Sequence, residues 1–136
     1  MKNNSKQNIS EPIFTFHKDK ASINTACLKA FPETDYVQIL VHPARKKLAV
    51  RPCTEAEKDS LRWCRCRADK RTPKQITCRV FFAKIISLMG WNAQNRYRLS
   101  GELIRSGGEP VFVFDLNTSK METGIRKNGE QTYERR

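Results

Sequence analysis

Two hairpin signals, one in each half of the sequence, constrain the fold more than any other feature. In the first half, apolar runs at 36–41 and 48–50 flank a turn that begins at His42-Pro43. In the second half, RYRLSGELIR and PVFVFDL lie on either side of Ser106-Gly107-Gly108. Proline and glycine between apolar strand-like runs are typical of tight turns that join antiparallel strands. The sequence therefore predicts two β-hairpins.

A segment with helical features precedes each hairpin. In ASINTACLKAFPETD, Asn24 or Thr25 is expected to cap a short helix that Pro32 stops. In QITCRVFFAKIISLMGW, Thr77 is the expected cap, apolar residues recur at helical spacing, and Gly90 is the expected end. The order strand, helix, hairpin thus occurs twice, an internal repeat of element order. Because one such unit exposes a face of its sheet, we predict an α+β fold in which two similar strand-helix-hairpin halves pack together.

The length of 136 residues and the changes in composition suggest a single domain with polar ends. We expect a disordered arm at 1–12, a single domain at 13–116 and a flexible tail at 117–136. Within the domain, halves at 13–52 and 75–116 are joined by a basic linker at 53–74. Thr54 and Glu57 fit a capping box that would start one or two helical turns in this linker.

Several classes of protein do not fit this sequence. No apolar run approaches the roughly 18 residues of a membrane span, and MKNNSKQNIS lacks the apolar core of a secretory signal. We therefore expect a cytoplasmic protein with reduced thiols and no membrane partner. His17 and His42 lie in different segments, and neither belongs to a nucleophile or zinc-helix motif. We predict a protein that is not an enzyme and needs no cofactor.

The stretch LRWCRCRADKRTPKQ raises the question of a metal site. Cys64 and Cys66 have one residue between them, whereas the pairs in structural zinc sites usually have two to four. The other candidate ligands, Cys53 and Cys78, stand alone. We predict no bound metal and a basic strap with Arg62, Arg65, Arg67, Lys70 and Arg71 at a partner surface, although the sequence leaves a site of all four cysteines open. The neighbouring arginines are expected to lower the thiol pKa of Cys64 and Cys66.

Positive charge is concentrated in the middle of the chain. The net charge is +12, and residues 44–79 hold twelve basic residues against four acidic ones, which leaves +8 in this basic belt. Such a belt suits contacts with phosphates, and arginine can also read guanine edges. On the second hairpin, Arg96 and Arg98 share one face while Tyr97 points inward. The predicted nucleic-acid-binding residues are Arg45, Lys46, Lys47, Arg51, Arg62, Arg65, Arg67, Lys70, Arg71, Lys74, Arg79, Arg96 and Arg98.

The same charge also suits an acidic protein or a plain solvated surface, and the sequence separates neither from DNA binding. Our leading interpretation is a non-enzymatic DNA-binding regulator. The alternative is a protein-binding accessory factor. It could be a recombination directionality factor that binds a serine integrase, or an anti-CRISPR-like inhibitor of a defence nuclease. Homo-oligomers are compatible with either interpretation.

Two resemblances to known proteins bear on these expectations. A strand, a helix and a hairpin ending in KKLAVRP resemble the AbrB type of DNA-binding domain, and two such units resemble the tandem arrangement of MraZ-type regulators. A closer resemblance is carried by ASINTACLKAFPETDYVQILV, KKLAVRPC and PKQITCRVFFAKIISLMGWN, which look like small uncharacterised proteins of Firmicutes conjugative elements, loosely labelled integrase. This resemblance implies a mobile genetic element as the setting. It implies no recombinase chemistry, because the chain shows neither integrase catalytic pattern.

Overall fold

A computed structural model describes residues 11–68 and 70–122 of the chain. Within these residues the elements follow one another as eleven strands, two α-helices and one 3-10 turn. They are β1 (Ile13–His17), β2 (Lys20–Ile23), α1 (Thr25–Ala30), β3 (Tyr36–His42), β4 (Lys47–Cys53), β5 (Leu61–Arg62), β6 (Cys64–Arg67), β7 (Lys70–Pro73), β8 (Ile76–Thr77), α2 (Arg79–Met89), β9 (Arg96–Ser106), β10 (Glu109–Asp115), the 3-10 turn (Leu116–Thr118) and β11 (Lys120–Glu122).

One antiparallel sheet contains nine of these strands. Its order is β5-β3-β4-β10-β9-β1-β2-β8, with β11 also paired to β9, and the sheet curls into a nearly closed barrel-like shape. The predicted α+β fold of two packed halves, similar to AbrB or MraZ, is therefore wrong. The reason is that β1 pairs with β9 and β4 pairs with β10, so strands from the two halves of the sequence join one sheet instead of forming two separate units.

The local signals in the sequence did identify several elements. The hairpins β3–β4 and β9–β10 form as predicted, and Gly107 and Gly108 both have positive φ in the second turn. Helix α2 ends at Gly90, which adopts the predicted left-handed conformation. Thr77 is not the cap of α2, because Cys78 occupies that position without a side-chain hydrogen bond.

Aromatic side chains fill the interior of the curled sheet. Alternate residues of each strand point inward, so Phe14 and Phe16 of β1 are both buried and their rings lie 5.0 Å apart. On another side of the core, the Phe31 ring lies 4.7 Å from Phe112 and 5.7 Å from Trp63. Trp63 is completely buried, although it stands in the basic segment that we assigned to a linker. The core therefore draws on residues from every part of the described chain.

Ordered elements occupy parts of the predicted linker and of the predicted tail. The linker range contains β5, β6 and β7, and the Thr54 N–H donates to Glu57 Oε2 (3.0 Å) in a turn rather than a helix. Residues 117–122, which we assigned to the tail, form most of the 3-10 turn and all of β11. The arm at 1–10 and the tail at 123–136 lie outside the described residues. Among the described helices, none has both the length and the apolar character to span a membrane.

Strand β9 turns a corner at Gly101. Its first part, 96–100, pairs with β1, whereas residues 101–106 pair with β10. A Cβ atom on Gly101 would lie 2.5 Å from the Phe114 ring and 2.7 Å from the Val113 carbonyl oxygen. The Phe114 ring is fully buried, and the carbonyl belongs to a paired strand, so neither can easily move away. Glycine is thus required where β9 passes from one part of the curled sheet to the next.

We expect Gly101→Ala to lower the free energy of unfolding by about 1–3 kcal/mol, because the added methyl group overpacks this corner. Ser100→Ala is the matched control on the same strand, where the exposed side chain should make a difference of at most about 0.5 kcal/mol. Urea unfolding followed by tryptophan fluorescence measures both values. Equal stability of the two variants would contradict the assigned role of Gly101.

Candidate nucleic-acid interface

Strands β6 and β7 form a two-stranded ribbon that is separate from the main sheet. In its register Arg65 lies opposite Thr72, and Arg67 lies opposite Lys70. Because side chains alternate along a strand and opposite residues share a face, these four residues lie on one side of the ribbon. We refer to this side, formed by Arg65, Arg67, Lys70 and Thr72, as the cationic face.

The side chains of the cationic face are all exposed. None of its three cations has a salt-bridge partner within the described residues. Arg67 and Lys70 stand directly opposite each other, and like charges at such positions destabilise a pair of strands. An anion bound to this face would offset that repulsion.

The base of the ribbon is fixed to the core by the residue that precedes it. The Trp63 indole N–H donates to the Thr34 carbonyl oxygen (2.8 Å). The Trp63 backbone N–H donates to the Asp35 carbonyl oxygen (3.2 Å), and its own carbonyl accepts from the Lys74 N–H (3.0 Å). Hydrogen bonds at Trp63 thus hold both ends of the ribbon, so the ribbon is anchored to the core.

Arg71 belongs to the opposite face of the ribbon and points into the protein. Its guanidinium donates to the carbonyl oxygens of Leu28 (3.1 Å) and Thr34, and it forms an ion pair with Asp35 (3.3 Å). Only 22% of its side chain is exposed. The expectation that Arg71 lies at a partner surface is therefore wrong. Arg71 instead binds the ribbon to the last turn of α1 and to the segment that follows it.

Cys64, Cys66 and Asp35 form a cluster beside Arg71. Their potential ligand atoms all lie within 4.8 Å of one another, whereas Cys53 and Cys78 are not part of this cluster. The Arg71 guanidinium already supplies the positive charge next to Asp35 and lies 3.6 Å from the Cys64 sulfur. The guanidinium therefore neutralises the Asp35 carboxylate, and Cys53 and Cys78 do not lie beside Cys64 and Cys66 as a zinc site of all four cysteines would require.

The expectation of a lowered thiol pKa is wrong for Cys64. Burial, followed by the hydrogen bond to Asp35, raises the pKa of Cys64 to about 11, and these effects outweigh the opposing charge of Arg71. Burial likewise raises the pKa of Cys27 to about 11. Cys66, in contrast, is exposed on the ribbon.

Several other predicted nucleic-acid-binding residues contact groups of the protein itself. Arg51 lies between Glu109 (3.2 Å) and Glu57 (3.5 Å), and Arg79 pairs with Asp19 (3.4 Å). The Arg62 guanidinium lies 5.5 Å from the centre of the Tyr36 ring and donates to the Cys64 carbonyl oxygen. The Lys74 ammonium donates to the Gln75 carbonyl oxygen (3.4 Å). Arg45, Lys46 and Lys47 lie in and beside the β3–β4 turn. The basic belt is therefore divided among different elements.

A second group of cations lies on the outer side of the main sheet. Arg96 and Arg98 are exposed there, and Tyr97 points inward with 6% exposure, as the alternation predicts. Strand pairing places His17 opposite both Arg96 and Lys20, and Lys120 opposite Arg98. The pKa of His17 is lowered by partial burial and then by Arg96, Lys18 and Lys20. The sequence analysis did not identify Lys20 and Lys120 as members of this group. The alternation of side chains along a strand indicates which residues share a face, but it does not indicate which strand lies next to it.

Comparisons with protein-family models, curated proteins and solved structures found no match to this chain. The resemblance to proteins of conjugative elements therefore stays a prediction. A function for this protein therefore has to be inferred from the chemistry of the protein's own surface.

We expect Arg71→Met to lower the free energy of unfolding by about 2 kcal/mol, because it removes charged hydrogen bonds that hold the base of the ribbon. Arg65→Met is the matched control on the cationic face and should change stability by at most about 0.5 kcal/mol. Thermal and urea unfolding measure both variants. A similar effect of the two substitutions would show that Arg71 does not anchor the ribbon.

Alkylation of the folded protein with iodoacetamide near pH 8 should modify Cys66 well before Cys64 and Cys27, because the latter two are buried and protonated. Peptide mapping by mass spectrometry gives the order. The ordinary pKa of a cysteine thiol is 9.0, whereas burial raises the pKa of these two thiols to about 11 in the folded protein. Their contribution to stability is therefore lost as pH rises through this interval. Rapid modification of Cys64 would contradict both expectations.

Proposed function

We propose that this protein is a non-enzymatic DNA-binding regulator that contacts DNA through the cationic face of the ribbon. The observation that carries this proposal is the placement of Arg65, Arg67 and Lys70 on one exposed side of an anchored two-stranded ribbon. The major groove of B-DNA admits a two-stranded ribbon. We further propose that the protein is encoded on a mobile genetic element and acts in transcription or recombination. The sequence resemblance described above supports this part of the proposal.

The dimensions of the ribbon suit this role. Arg65 and Arg67 are two residues apart on one strand, which corresponds to about 6.6 Å between their Cα atoms. Both guanidinium groups therefore reach into the same groove or onto the same stretch of phosphates. Arginine in such a position binds a phosphate or reads guanine with two parallel hydrogen bonds. Lys70, opposite Arg67, adds a third contact from the partner strand.

The inner face of the ribbon supports the same assignment. Arg71 and the buried Cys64 hold that face against α1 and Asp35, so the cationic face is presented in one orientation. A fixed orientation reduces the entropy lost when DNA binds. The other exposed cations, among them Lys20, Arg96 and Lys120, contribute to the net charge of +12, which accelerates association with a polyanion.

The combined substitution Arg65→Ala, Arg67→Ala and Lys70→Ala should weaken DNA binding. It should also make the negative slope of log K against log salt shallower by about three. Fluorescence anisotropy on labelled duplexes from the promoters and ends of the element, between about 50 and 200 mM salt, measures the slope. The expected loss follows from three missing phosphate contacts. The far-ultraviolet circular dichroism of the variant should match that of the wild type, because the three side chains are exposed.

A matched control removes three exposed cations from other elements, with Lys58→Ala, Lys84→Ala and Arg105→Ala. It has the same net charge as the ribbon variant and should keep most of the salt slope. An equal loss in both variants would mean that only net charge matters. Absence of binding at the lowest salt concentration would reject DNA as the partner.

A further inference from the structure

Part of strand β3 has an uncovered edge. One edge of β3 pairs with β4 over all seven residues, whereas the other pairs with β5 only at Tyr36 and Val37. The bond from the Trp63 N–H to the Asp35 carbonyl shows that Asp35 directs its backbone toward β5. Because this direction alternates along an antiparallel strand, the backbone groups of Ile39 and Val41 point toward the same edge. No strand of the described chain pairs with them there.

Helix α2 lies beside this edge and forms the other wall of a groove. The groove has a volume of about 450 Å³. Its apolar lining comes from β3, from the first residue of β5 and from the first turn of α2, and includes Ile39, Leu40, Val41, Leu61, Val80 and Phe81. Val80 is 70% exposed and Leu40 is 48% exposed. An open strand edge and two exposed apolar side chains therefore meet in one place.

We infer that this groove binds an extended segment of a partner protein, with alternating apolar residues and acidic residues at the end that lies beside the β3–β4 turn. The segment would add to β3 antiparallel, in line with β5, which already pairs with β3 in that direction. Its backbone would bond to the N–H and C=O groups of Ile39 and Val41, and alternate side chains would pack against Val80 and Phe81. Addition of a strand beside a groove is a common mode of peptide recognition.

The charges around the groove favour an acidic segment. Lys84 lies on the α2 wall. Arg45 lies beyond the end of β3, where its N–H donates to His42 Nδ1 (3.2 Å), and Lys46 and Lys47 follow it in the β3–β4 turn and at the start of β4. The loop at the other end of the groove is acidic, with Glu55, Glu57 and Asp59 against Lys58. Asp59 is the one acidic residue in the groove lining found within the described chain. Complementary charge at the ends of a bound segment increases its association rate and specificity.

A second copy of this chain fits the groove less well. Each copy has a net charge of +12, so two copies repel each other. Helix α2 also stands beside the edge, so two-fold pairing of the β3 edges would have to accommodate the α2 helices of both copies. The occupant is therefore assigned to a partner protein.

The test selects binders from a displayed library of random peptides of about ten residues, with the intact chain as bait. Selection should enrich alternating apolar sequences with Asp or Glu at the N-terminal end, which antiparallel pairing places beside the β3–β4 turn. Val80→Glu, which places a charge in the groove, should weaken the selected peptides at least about tenfold. Met121→Glu is the matched control, because Met121 is a similarly exposed apolar residue outside the groove (55% exposed). Binding to this control should be unchanged.

Amide hydrogen exchange locates the bound segment. Exchange at Ile39 and Val41 should be rapid in the free protein and slow at least about tenfold in the complex, because the peptide supplies their missing partners. Selected peptides that ignore Val80→Glu, or protection elsewhere, would overturn the inference. A dimer of the free chain that Val80→Glu dissociates would identify a second copy as the occupant and also overturn it. DNA binding should be unaffected by Val80→Glu, so this result is separate from that of the ribbon variant.

Discussion

Burial of the Trp63 side chain fixes the positions of the ribbon and of the open edge of β3 relative to the core. The indole packs against Phe31 and donates to Thr34, so the middle of the chain is fixed to the core at this point. Strand β5 ends just before Trp63 and covers only two residues of β3. The ribbon starts immediately after it. The open edge of β3 and the orientation of the cationic face are thus both consequences of one anchored aromatic residue.

Alternation along the ribbon separates structural from exposed charge. Arg71 is sheltered, and a sheltered cation needs a counter-charge and partners for its donors. The Asp35 carboxylate supplies the counter-charge, and the carbonyls of Leu28 and Thr34 accept from the two terminal nitrogens, whereas Nε is buried with no partner among the described residues. Arg65, Arg67 and Lys70 remain in water on the opposite side, where they lose no hydration and are available to a ligand. Neighbouring residues of one basic run therefore have different roles.

The sequence identified what depends on neighbouring residues and missed what depends on distant ones. Turn residues and helix ends are local features, so both hairpins and the end of α2 at Gly90 were predictable. The pairing of β1 with β9 was not, because the alternation of Phe14 and Phe16 indicates a buried face but not a neighbouring strand. The same limit applies to Arg71. Nothing in DKRTP distinguishes it from Lys70, since its partners at Leu28, Thr34 and Asp35 come from elsewhere in the chain.

Net charge alone does not distinguish DNA from an acidic protein as a partner, but the two surfaces differ in chemistry. The cationic face consists of cations and one threonine, and has no apolar side chain that would gain from contact with a protein core. The groove beside β3 combines apolar walls with unpaired backbone groups, and nucleic acid offers no extended polypeptide backbone to pair with them. Phosphate contacts weaken with salt, whereas apolar burial and strand pairing depend on it much less. The salt dependence of binding at each surface therefore reports which kind of partner it accepts.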